Sequence, residues 1–403
     1  MAGNPYHKTA QLAEKNKTPV YGCAFNPFVK WPNAQMLATV NTNFVHVYEL
    51  PTHQEVIKKR DSAEILLKKA DDFWSVAWCQ QPSDILGVPI TKLVVGGETG
   101  RLYVVDYKTM KAGRELQGFR GSCNEIRTNL QCPTLIAVAS NDRAVRVFDI
   151  RCEAPLLICG GRNVHTDKVM SLDWSPNGAH LVECGYDHKI FLWNFAEPRI
   201  VEHLKNATDA LDLGEQPPTV DYTDANQEMA EMIWSPKKKA LLLTNPEAFA
   251  QDVHFDSVDC IRMRIQKDRM YFVSRNCAYQ PTVAFWRFGD WDKSKEVVPE
   301  AGEPNRSVTQ LSRKKMPDVP VPYFMKFDMD ADFRWCVVPG ARGDILFYSL
   351  RDQEGTEPTH TIIVNADQCL IRQVAFCDQS KFFVTVGDNG IICRFDKKPT
   401  TAH

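Results

Sequence analysis

The chain carries no excess of basic charge. Its 403 residues include 48 Lys and Arg against 50 Asp and Glu, a formal net charge of −2 at pH 7. A protein that grips nucleic acid through phosphates needs a concentrated positive surface, so direct nucleic-acid binding is not expected. No apolar run approaches the roughly 20 residues of a membrane span, and no membrane partner is expected. Residues 1–18 are polar and Lys-containing without an apolar centre, which does not read as a secretory leader. The local signatures of catalysis are missing too: no GxSxG, no HExxH, no P-loop and no dinucleotide-binding glycine fingerprint. The Asp and His residues that recur do so at repeat-equivalent places, where structural residues stand. The chain is therefore expected to be no enzyme and to need no cofactor. Thirteen cysteines, an odd number with no CxxC pair, suit neither a disulfide framework nor a zinc site. Cys23, Cys184, Cys336 and Cys393 fall in apolar, strand-like runs, where free Cys behaves as a small buried hydrophobe. That usage points to a reducing compartment, cytosol or nucleus.

A repeat is what the chain does have. In DKVMSLDWSPNGAHLVECGYDHKIFLWNF, residues 167–195, three strands follow one another in under thirty residues. Val169, Leu172 and Trp174 mark the first, and Ser-Pro-Asn-Gly breaks it, each residue favouring a turn for its own steric or hydrogen-bonding reason. HLVECG and KIFLWNF follow, separated by a turn holding Asp187. His165 upstream, Asp187 and Trp193 have the spacing of a buried network that ties loops to a third strand. This stretch looks like one WD40 repeat, and RIVEHL (199–204) is expected to be its outer strand. Related patterns run from PVYGCAF, FWSVAWCQQ and NEIRTNL before it, and from VDCIRMRI, PVPYFMKFDMD and CLIRQVAF after it. Asp142 and Asp388 repeat the turn position of Asp187.

Seven groups of four short strands with no long amphipathic helix predict an all-β, seven-bladed WD40 β-propeller. Residues 1–18 are expected to close the last blade, HKTAQLAEK reading as a short strand or a fraying helix. Residues 19–403 form the ring, with an insertion at about 205–256. MAEMIWSPKKKALLLT within that insertion imitates a first and second strand, so an eighth, degenerate blade is the alternative.

One feature breaks the symmetry. Aromatic residues crowd the first-strand entries of three repeats: Tyr21, Phe73-Trp74 and Tyr323-Phe324. Phe73, Trp78 and Phe327 read as core, and strand alternation sends Trp74 to the face opposite Phe73. Composition alone leaves Tyr21, Trp74, Tyr323 and Phe324 open to either packing or binding.

At these residues the chain resembles the Polycomb WD40 proteins of the EED or extra sex combs family, including its maternal-effect-sterile type, over roughly residues 18–397. DDFWSVAW, HTDKVMSLDWSPNG, CGYDHKIFLW, VDCIR, YFMKFDMD, LIRQVAF and GDNGIICRFD carry the similarity, and VDCIR and IRQVAF are not general WD40 features. DVHFDSVDC resembles that family's entry into blade five, which favours seven blades over eight. The resemblance implies a nuclear, non-catalytic core subunit of Polycomb repressive complex 2. Such a subunit holds an enhancer-of-zeste-type SET-domain methyltransferase through a helix on one ring face and meets other subunits of the complex. On the other face it reads the trimethylated histone H3 tail in an aromatic cage, supporting and stimulating methylation of H3 lysine 27. The cage positions carry over to Tyr21, Trp74, Tyr323 and Phe324, where the family usually has Phe, Tyr, Trp and Tyr. Lys326 and Arg372 match basic residues beside the pocket, Asn124 a pocket-rim Asn, and Asn141 stands where Lys is usual. A WD40 scaffold that has lost methyl-lysine reading is the alternative.

Overall fold

The structure is a computed structural model that describes residues 4–14, 17–64, 71–83, 87–161, 164–218, 240–277, 280–289, 306–317, 324–352, 354–364 and 368–399. Apolar positions in the central strands are buried on both faces. β1 spans Tyr6–Ala13 and belongs to the last sheet. Blade one is β2 (Gly22–Phe25), β3 (Gln35–Val40), β4 (Phe44–Leu50) and β5 (Lys58–Glu64). Blade two is β6 (Phe73–Gln81), β7 (Ile90–Gly97), β8 (Leu102–Asp106) and β9 (Lys111–Leu116). Blade three has β10 (Cys123–Thr128), β11 (Leu135–Ser140), β12 (Val145–Asp149) and β13 (Leu157–Cys159). Blade four has β14 (Val169–Trp174), β15 (His180–Gly185) and β16 (Ile190–Asn194).

Helix α1 (Pro198–Asp212) comes next, then β17 (Leu241–Leu243) and β18 (Ala248–Ala250). Blade five is β19 (Val258–Gln266), β20 (Arg269–Asn276), β21 (Thr282–Phe288) and β22 (Val308–Lys315). Blade six is β23 (Asp328–Met329), β24 (Trp335–Pro339), β25 (Asp344–Ser349) and β26 (His360–Ile363). Blade seven joins β27 (Ile371–Phe376), β28 (Phe382–Gly387) and β29 (Ile391–Lys397) to β1. The described residues thus form the seven-bladed propeller that the repeats predict.

Interfaces between blades make the core. Val40, Val45 and Val47 of blade one pack against Phe73, Trp78 and Leu93 of blade two. Each such side chain, fully removed from water, contributes about 1.5–3 kcal/mol. Polar side chains of the first strands add hydrogen bonds between blades: Ser75 Oγ accepts from Ile126 N at 2.9 Å, Ser171 Oγ from Ile261 N at 3.1 Å, and Gln373 Oε1 from Cys23 N at 3.1 Å. Closure is between chain ends. β1 runs antiparallel to β29, Tyr6 opposite Lys397 and Ala13 opposite Ile391. Tyr6 is buried against Phe347, Phe376 and Phe383, and its hydroxyl donates to Ser380 O at 2.9 Å.

One expectation is corrected, and the alternative of an eighth blade falls. RIVEHL is not a strand but the start of α1, a 15-residue helix. Pro198 occupies its first turn, where a missing N–H costs nothing. Ile200, Leu204 and Ala207 recur at helical spacing; Leu204 and Ala207 pack on Leu135 and Leu156 of blade three, and Ile200 joins the neighbouring core. The outer strand of blade four is β18, paired with β16. Of the segment behind that alternative, residues 229–239 lie outside the described residues, and the LLLT part starts no blade of its own, since β17 adds to β13 in parallel as a fifth strand of blade three.

The buried network of blade four also differs in its joints. His165 Nδ1 lies 2.7 Å from Asp187, while the Trp193 indole donates to Glu183 at 2.8 Å. Glu183 Oε1 lies 3.9 Å from His165 Nε2, so the two halves are neighbours without a hydrogen bond between them. Blade five builds its version around a hydroxyl: Ser274 Oγ accepts from Trp286 at 2.9 Å and lies 2.7 Å from His254 Nε2.

Candidate functional site

The inner strands set the site. In each of β6, β10, β14, β19 and β27 the pairing register slips by one residue at the second position, a β-bulge. The skipped residues are Trp74, Asn124, Met170, Asp259 and Arg372. A bulge bends its strand and re-aims the side chain at that point. Three of the residues singled out in the sequence, Trp74, Asn124 and Arg372, stand at this one structural position.

Trp74 is half-buried, and its ring meets that of Phe324 with centroids 4.8 Å apart and planes inclined by 47°. Phe324 precedes β23 in a left-handed conformation, φ 64°. A bulky L-residue there stores on the order of 1–3 kcal/mol, which the surrounding packing must offset. Tyr21 stands just before β2, its amide bonded to Val40 O at 3.1 Å. A side chain on Gly22 would place its Cβ 2.4 Å from Trp74 O, so glycine is what lets β2 and β6 approach at the site. Burial, and then the charges of Asp72 and Asp388, push the Tyr21 phenol above its ordinary pKa. Arg372 holds Asp388 through two hydrogen bonds of 2.6 and 2.8 Å. Tyr323 lies outside the described residues.

Behind the rings lies a channel cavity of about 400 Å³, lined by Trp74, Asn124, Glu125, Lys326 and Gln373 among others. Asn124 is 1% exposed. Its amide nitrogen donates to Asn141 Oδ1 at 2.8 Å and to Val169 O at 2.6 Å, while its Oδ1 is buried without a partner. Lys326 is 6% exposed; its ammonium points inward, donating to Met170 O and Asp259 O at 2.8 and 2.9 Å. It also lies 3.4 Å from Glu125. Glu125 and Arg262, 2.9 Å apart, were not singled out by the sequence reading. Their signal was charge at alternate positions of inner strands, Glu125 and Arg127 in NEIRTNL and Arg262 and Arg264 in VDCIRMRI. The arrangement offers an aromatic surface over a polar, cation-containing channel. Among the described residues no group of His, Cys, Asp and Glu side chains could hold a metal ion.

Fold and repeat together define a WD-repeat propeller, and the family model described as WD domain, G-beta repeat, matches residues 159–194. Polycomb protein mes-6 of Caenorhabditis elegans is 31% identical over 429 residues, spanning 98% of this chain and 92% of that protein. Polycomb protein esc of Drosophila melanogaster is 22% identical, spanning 98% and 85%. The chain belongs to this Polycomb WD40 family. A chain in the crystal structure of the Chaetomium thermophilum polycomb repressive complex 2 superposes with a TM-score of 0.73 at 14% identity, covering 99% of both chains. Another, from the structure of that complex with H3K27me3 and H3K27M, gives 0.73 at 14% identity, covering 97% of this chain and 98% of its own. At that identity these structures speak for the fold.

Proposed function

We propose that the protein is a nuclear, non-catalytic scaffold and methyl-lysine reader of a Polycomb repressive complex 2-type histone H3 lysine 27 methyltransferase. In this role it binds the enhancer-of-zeste-type SET-domain subunit and other subunits of the complex. It takes up the trimethylated histone H3 tail at Tyr21, Trp74, Tyr323 and Phe324, supporting and stimulating methylation. The observation that carries the reading is the ring contact of Trp74 with Phe324 above the channel. A trimethylammonium group cannot donate hydrogen bonds, so a polar pocket gains little from it. Aromatic faces attract its diffuse charge and bury its methyl groups, each desolvated contact being worth about 2 kcal/mol. Membership in the family of mes-6 and esc supports the scaffold role.

The decisive experiment titrates an H3 peptide, trimethylated or unmodified at lysine 27, into the wild type and a folded Trp74→Ala variant. The wild type is expected to prefer the trimethylated peptide, since unmodified ammonium loses hydrogen bonds to water on entry. Trp74→Ala is expected to weaken it by at least ~10-fold. Equal affinity in the two proteins, or for the two peptides, leaves a WD40 interaction scaffold without methyl-lysine reading. Co-purification with a SET-domain subunit, and no methyltransferase activity from the isolated chain, tests the other half.

A further inference from the structure

We propose that Glu125 sets the charge preference of the cage, offsetting part of the positive charge gathered in the channel behind the rings so that a quaternary ammonium is admitted. This rests on the trimethyl-lysine reading above. One carboxylate serves three cations from three blades. Its Oε1 accepts from Arg262 at 2.9 Å and from Arg127 at 2.8 Å, and its Oε2 lies 3.4 Å from the Lys326 ammonium. The Ser171 hydroxyl donates to the same Oε2. Arg262 and Lys326 are both buried, and Glu125 is the carboxylate in contact with each.

The other acids nearby make their closest ion pairs with other cations. Asp259 pairs with Arg275 at 2.9 Å, while Asp173 and Asp328 each lie 3.8 Å from Arg264. Burial alone would raise the Glu125 carboxyl, but the charges of Arg262, Lys326 and Arg127 outweigh it and hold it well below the usual carboxylate range. Glu125 is thus charged whenever the protein is folded near neutrality.

The link to the cage is a shared cavity rather than a contact. Asn124, the bulge residue beside Glu125, lines the same cavity as Trp74, and Lys326 follows Phe324 by two residues. Without the carboxylate, Lys326, which lines that cavity, and buried Arg262 would both lose the negative charge in contact with them. Poorly screened by solvent, they would repel a cationic ligand while leaving an uncharged one of equal shape untouched.

The test uses the full chain and two H3 peptides, one with trimethyl-lysine and one with its uncharged isostere, a tert-butyl group in place of trimethylammonium. Glu125→Gln is expected to lose about fivefold in affinity for the cationic peptide and to keep its affinity for the isostere. Combining Glu125→Gln with Lys326→Met removes one charge of each sign, and is expected to restore the ratio of the two affinities to within about twofold of wild type. Lys326→Met alone shifts the charge the other way, so preference for the cationic peptide should rise, a check independent of whether Glu125→Gln folds. Equal losses for both peptides would show a structural role and overturn the proposal, as would no change in the ratio. A wild type that binds the trimethylated peptide no better than the unmodified one would instead sink the cage reading, and this inference with it.

Discussion

Ring closure depends on one side chain near the start of the chain. Tyr6 is 1% exposed and sits among Phe347, Phe376 and Phe383 at centroid distances of 6.1, 5.7 and 5.2 Å. Truncating it to Ala removes a buried aromatic ring, which costs about 3–5 kcal/mol in cores of this kind. It also strands Ser380 O, which accepts the Tyr6 hydroxyl. At about 2.1 cal/mol/K of unfolding entropy per residue, a loss of ~4 kcal/mol over this length lowers the melting temperature by roughly 5 °C. Tyr6→Phe forfeits only the hydrogen bond, about 1 kcal/mol, or roughly 1 °C. Differential scanning calorimetry of wild type, Tyr6→Phe, Tyr6→Ala and a chain lacking residues 1–15 would order them as named. The deletion should be the least stable, because it exposes the outer edge of β29 as well as the core. Should Tyr6→Ala, or the deletion, melt within about a degree of wild type, β1 does not close the ring and the reasoning fails.

Two further outcomes follow from buried contacts. Burial pushes the Glu183 carboxyl from 4.5 up to about 7, against the opposing influences of His165 and the Trp193 hydrogen bond, with Asp187 adding to the rise. The folded state therefore keeps a proton that the unfolded chain releases, so this contribution is present below about pH 4.5 and lost as pH rises through 7. Glu183→Gln avoids that loss and should gain on wild type by up to roughly 3 kcal/mol between pH 5 and 8 in denaturant titrations; parallel curves would contradict it. Gly22→Ala should weaken trimethyl-peptide binding along with stability, because its Cβ would press on the Trp74 carbonyl at 2.4 Å and drive β2 off β6. Unchanged affinity in that variant would mean Tyr21 and Trp74 do not act together.

Much of the ring was legible because a blade is a local object. The turn at Ser175–Gly178, the Asp187 turn and the alternating apolar runs lie within one repeat, so spacing alone places β14, β15 and β16. Errors came where the chain leaves that local grammar. RIVEHL is rich in residues that also favour strands, and only Pro198 with the spacing of Ile200, Leu204 and Ala207 marks a helix. The parallel addition of β17 to β13 is invisible because those strands lie more than eighty positions apart. At the site, Trp74 and Phe324 stood out as aromatic neighbours of first strands, and the resemblance gave them a purpose. Glu125 did not stand out, because its meaning depends on Arg262, 137 positions away, and on Lys326 beyond it.

The repeated bulge separates two tasks that most strands must combine. Phe73, Cys123, Val169, Val258 and Ile371, immediately before the bulges, are buried and hold the blades together. The next residues are Trp, Asn, Met, Asp and Arg, five different chemistries in one geometric slot. At Trp74 and Arg372, which are only half-buried, substitution need not disturb the neighbouring core position, whereas Asn124, Met170 and Asp259 are themselves buried. At those two half-open positions the surface of the ring can vary one letter away from a residue that holds its blades together.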